Sequence, residues 1–153
     1  MKLYWHFLFV LVVVFLQITI FSFFTFRLIH VDFSLLPAIM LAFYNKKEKA
    51  IFWAFTTGIF LDIFSPLRFG IFTLSHLITI ILLSYFVNRF FTQLPIFLVG
   101  ILLYLSYLFF EIFISIISQS WSYLVFINPI FGTLVGLAIF LLTRRILSKN
   151  EYF

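Results

Sequence analysis

A chain of 153 residues that is 65% hydrophobic and 10% charged, with a mean hydropathy of +1.23, cannot cover itself with polar surface. Soluble domains run near 45–50% apolar and about 25% charged, so this composition excludes a water-soluble fold and points to an integral membrane protein. The net charge of +5 then bears on orientation across a bilayer rather than on nucleic-acid binding. The absence of cysteine excludes disulfides, thiolate metal sites and thiol nucleophiles.

The elements follow from the breaks in the apolar runs. Crossing the hydrocarbon takes roughly 20 helical residues, and the runs here are continuous rather than alternating, which favours helices over a β-barrel. The first segment covers residues 3–26. Its run "LFVLVVVFLQITIFSFF" exceeds the roughly 7–15 residues of a signal-peptide core, and no small-residue cleavage site follows, so it reads as a retained span. The second, "FSLLPAIMLAFY" over 33–44, is short, and Pro37 fits its first turn if Ser34 caps it. The third, 50–64, is also short. The fourth covers 70–91 and the fifth 95–118, with Pro95 in its first turn. The sixth runs from 128 to 144, with Asn128 as the cap and Pro129 opening the helix. The expected fold class is therefore an all-α integral membrane protein of six transmembrane helices, two of them short, forming a single domain over 1–153.

Lysine and arginine set the orientation. With the N-terminus in the cytoplasm, one side receives Lys2, Lys46, Lys47, Lys49, Arg89, Arg144, Arg145 and Lys149, and the other only Arg27 and Arg68. That positive-inside bias places both termini in the cytoplasm. Reading the second and third segments as a re-entrant hairpin would leave "NKKEK" in or near the bilayer, which is costly, so two short, tilted crossings are preferred.

This topology puts Gln17, Asp62, His76, Glu111 and Asn128 in the outer half of the spans. The plain reading of Asp62, His76 and Asn128 is an interfacial position, beside aromatic residues such as Trp121 and Tyr123. Glu111 lies deeper, between "LYLSYLFF" and "IFISII". An ionisable residue at such depth faces the bundle and has a partner, here expected to be Arg68 or His76. Gly58 and Asp62 are four apart and share a helix face. Glycine there admits a neighbouring helix, and Asp62 would cap or kink the outer end with Arg68 folding back to it. Gly132 and Gly136 form a Gly-x-x-x-Gly pair suited to helix contact. There is no phosphate-binding loop, metal-ligand spacing or serine–histidine arrangement, so neither an enzyme nor a cofactor or metal site is expected.

Several of these stretches together resemble the rod shape-determining protein MreD family of bacteria. They are Gln17 late in the first helix, Asp32 before "FSLLPAIMLAF", "FTTGIFLDIFSPLRFGIFTLSH" with Gly58, Asp62 and Gly70, "YLFFE" ending in Glu111, and "NPIFGTLVGLAIFLLTRR". The resemblance covers essentially the whole chain. It departs at Val31, where the family often has proline, and at Arg68–Phe69, where the loop usually runs directly into glycine.

The resemblance implies a non-catalytic scaffold of the cell-elongation complex in the bacterial inner membrane. Its implied partners are the single-span protein MreC, the MreB filament, the RodA glycosyltransferase and a class B penicillin-binding protein, besides the lipid bilayer. It also implies a fold similar to the substrate-binding subunits of energy-coupling-factor vitamin transporters. On that view Asp62, Arg68, His76 and Glu111 form a polar cluster that organises the bundle and receives MreC. The alternative is such a vitamin-binding subunit itself. Those subunits usually carry small residues spaced by three on the first helix, and "LVVVFLQITIFSFF" has none.

Overall fold

In a computed structural model, which describes residues 3–21, 32–65, 69–90, 95–119 and 122–150, the described residues form six α-helices and no strand. They are α1 (Leu3–Leu16), which runs on as a π-helical turn over Gln17–Phe21, α2 (Leu36–Phe43), α3 (Lys47–Phe64), α4 (Ile71–Phe90), α5 (Ile96–Ser118) and α6 (Leu124–Asn150). Stretches of α4, α5 and α6 (Ile71–Arg89, Ile96–Ser118 and Val125–Arg144) are long and apolar enough to cross a membrane. Many of the largest apolar side chains point outward, among them Phe97 at 79% exposure and Phe15 at 62%. On a water-soluble surface such patches would drive association; facing lipid they are the expected exterior.

Adjacent helices run antiparallel in two close pairs, α3 with α4 and α5 with α6, while α2 packs on α3 and α4, and α1 packs on α3. Glycines bring the pairs together. A Cβ on Gly58 would lie 2.5 Å from the Thr73 Cα, so α3 and α4 touch backbone to backbone there. Gly132 and Gly136 face α5, where a Cβ would meet the Tyr107 ring and the Leu103 side chain at 3.0 Å each. These are the close approaches that small residues permit in lipid, where apolar burial from water supplies no drive between helices. Leu35, Ile39, Ile80, Val99 and Leu103, all fully buried, fill the centre.

The short segments differ from the sequence reading. α3 begins at Lys47, within the basic run, with Glu48 in its first turn where an acid favours the helix dipole. A left-handed Asn45 (φ 58°) makes the tight link from α2. At eight residues, α2 covers only about 12 Å of the roughly 30 Å hydrocarbon core. It is therefore not a crossing by itself. Ser34 does not cap it: Leu35 occupies the cap position and no side chain bonds there. Asp32 instead accepts the amides of Ser34 at 2.8 Å and Leu35 at 3.3 Å, and Pro37 falls within the first turn. The sixth helix also opens earlier than expected. α6 starts at Leu124 and Pro129 lies inside it, removing the amide that would bond the Val125 carbonyl. Asn128 is thus one turn into the helix, not its cap.

Candidate functional site

The polar side chains converge toward the end of the bundle opposite the lysine-rich turn. At its centre is Asp32, 5% exposed. One carboxylate oxygen, Oδ1, accepts from the Ser34 amide and from its hydroxyl at 2.6 Å. The other, Oδ2, accepts from His76 Nε2 at 2.9 Å. The Asp32 carbonyl accepts from the Tyr107 hydroxyl at 3.3 Å. The His76 ring is fully buried, with Nδ1 lying 3.4 Å from Thr57 Oγ1 and its ring centroid 5.2 Å from that of Phe110. Residues from the α2 approach, α3, α4 and α5 thus meet around one carboxylate. A buried charge needs such compensation, because leaving water costs several kcal/mol per ion.

Flanking bonds hold the turn that carries Asp32. The Phe33 amide donates to Gln17 Oε1 at 3.1 Å, and Trp53 Nε1 donates to the Ser34 carbonyl at 3.1 Å. Gln17 heads the π-helical turn, a local widening that often marks functional positions. Gly132 makes room for the Tyr107 ring, which ties α6 packing to the Asp32 carbonyl.

Asp62 forms a second centre. It lies on α3, yet it caps α4: Oδ1 accepts the Phe72 amide at 2.9 Å, and Oδ2 accepts the Thr73 amide at 3.0 Å and the Thr73 hydroxyl. Those amides belong to the first turn of α4 and have no partner within that helix. Gly70, at φ 97°, sets the entry. Gly58 and Asp62 therefore act together. One lets the start of α4 reach the α3 surface, and the other binds its open amides and complements the helix dipole.

Glu111 forms the third. Its Oε1 accepts from Asn128 Nδ2 at 3.3 Å, a contact possible because α6 starts early enough to place Asn128 on an inner face. The expected partner was Arg68 or His76. His76 is bonded to Asp32 instead, and Arg68 lies outside the described residues. Among the described residues no hydrogen bond joins Asp62 to His76 or Glu111, so the cluster inferred from sequence separates into three linked pairs. What unites two of them is a cavity of about 330 Å³, walled by Gln17, Asp32, Ser65 and Glu111 with the Phe72 and Phe110 rings.

Asp32 carries more of this arrangement than the sequence reading gave it, since that reading named it only for the family likeness. The available signal was local. Asp32 stands two residues before Ser34, a spacing at which a carboxylate closes a turn on its own backbone. Thr73, Tyr107 and the Glu111–Asn128 pair carried no local signal.

No groups of three or more histidine, cysteine or acidic side chains suited to a metal occur among the described residues. Comparison with known proteins finds no family model that matches the chain, and neither a characterised protein nor a solved structure that is similar to it.

Proposed function

We propose that this chain is a non-catalytic scaffold of the bacterial cell-elongation complex, similar to MreD. It spans the inner membrane with both termini in the cytoplasm, has a fold like that of energy-coupling-factor substrate-binding subunits, and binds MreC. MreB, RodA and a class B penicillin-binding protein belong to the same complex. The resemblance across the chain supports this reading. The observation that carries it is how the polar groups are used. Asp32, His76, Asp62 and Gln17 each bond across to another element, which serves a rigid platform better than a reaction centre. The end of the bundle holding them is, by the distribution of lysine and arginine, the periplasmic one, where MreC has its soluble domain.

A second reading has one observation in its favour. The cavity beside Glu111 lies within the roughly 300–1,000 Å³ range of small-molecule pockets, which a vitamin-binding subunit would use. Depleting the protein in its own bacterium separates the two. The scaffold reading expects rods to round up in rich medium. Rods that persist but need an added vitamin would favour the transporter subunit.

A further inference from the structure

Because α2 is so short, the bundle is open on one flank at the lysine-rich end. A groove of about 690 Å³ runs there between α1, α2, α3 and α6. Its wall is apolar, with Phe9, Met40, Leu41, Phe52, Trp53 and Ile139. Its mouth is polar, formed by Tyr44, Glu48, Lys49 and Thr143, with the Tyr44 hydroxyl and Thr143 Oγ1 2.8 Å apart. Lys46 and Lys47 flank Lys49 on the same turn, Arg144 follows Thr143, and all four basic side chains are exposed. Lys49 and Glu48 line the mouth itself, and Lys46, Lys47 and Arg144 stand beside lining residues in the chain, three further exposed cations next to that balanced pair.

An apolar slot that ends in cations matches an amphiphile with an anionic head. We propose that this groove binds one phospholipid, with an acyl chain along the Phe9–Trp53 wall and the head-group phosphate at Lys49, Lys46 and Arg144. A partner's transmembrane helix fits less well. At about 10 Å across it would fill 690 Å³ in about 9 Å, under two turns. Basic pockets between helices are the usual seats of anionic head groups. The inference depends neither on the partners proposed above nor on which side the lysines face.

Native mass spectrometry of the delipidated protein in detergent, with phosphatidylglycerol or phosphatidylcholine of identical chains added back, tests it. Phosphatidylglycerol should be retained preferentially as a single adduct. At low salt, Lys49→Ala, Lys46→Ala and Arg144→Ala should each weaken it about fivefold and weaken phosphatidylcholine, whose choline offsets its phosphate charge, distinctly less. Leu41→Trp, which fills the slot, should lower retention of both lipids. Should that variant lose its fold, the basic substitutions decide the matter, since those side chains are exposed. Equal retention of the two lipids, or a phosphatidylglycerol adduct indifferent to the triple basic substitution, overturns the proposal. So does a photo-crosslinker at position 41 that captures a partner helix that added lipid does not displace.

Discussion

His76 Nε2 lies 2.9 Å from Asp32 Oδ2, joining the second turn of α4 to the chain that leads into α2. Asp32 also satisfies two amides and a hydroxyl of that turn. Removing it orphans several donors at once, which is the costly way to break a buried polar contact. Asp32→Ala should therefore destabilise the protein by about 3 kcal/mol, and His76→Ala by less, because Ser34 and Leu35 keep their acceptor. A double-mutant cycle in detergent unfolding should return a coupling of about 1–3 kcal/mol. A coupling near zero would mean the two side chains do not act as a pair.

The α3–α4 contact is tested by glycine. A Cβ on Gly58 would sit 2.5 Å from the Thr73 Cα, so backbone, not a side chain, must move. Gly58→Ala should cost about 1–3 kcal/mol and lower accumulation. Gly100 provides the control, since a Cβ there first meets the Leu137 side chain at 3.5 Å, an ordinary contact. Thermal unfolding of Gly100→Ala should match wild type. Similar losses in both variants would refute a specific close approach at Gly58.

Asp62 supplies two acceptor oxygens to the first turn of α4. Asp62→Ala should cost about 1–2 kcal/mol, the usual loss for a helix cap. Asp62→Asn keeps one acceptor and should recover part of it. Amide hydrogen exchange at Phe72 and Thr73 is the sharpest readout, and those amides should exchange faster in the alanine variant. Unchanged protection would show that the cap is dispensable.

The fold was legible in the sequence wherever a span is continuous. Segments four and five lie within a residue or two of α4 and α5 because Gly70 and Pro95 mark their starts. Boundaries failed where tertiary contacts override local chemistry. Asn128–Pro129 reads as a helix opening, yet α6 begins four residues earlier, since one lost amide bond costs less than exposing another turn of apolar backbone. Gly58 and Asp62 were recognisable as one helix face, but a carboxylate that caps a different helix leaves no periodic trace. The pairing of His76 with Asp32 spans 44 residues, and no spacing rule reaches that far.

Glu111 separates stability from partner binding. Its one described bond is the 3.3 Å contact with Asn128, and it faces the cavity. Glu111→Gln retains the acceptor and should accumulate and unfold like wild type. Glu111→Ala should accumulate at near-normal levels yet recover less MreC. Normal recovery would remove Glu111 from the interface.

Identifying what binds this protein in its own membranes tests the account most directly. The tagged chain would be extracted in mild detergent, isolated by its tag, and its companions identified by mass spectrometry. The account predicts MreC, accompanied by RodA or MreB. Recovery of a transporter membrane subunit with paired ATPases, and no MreC, would contradict it.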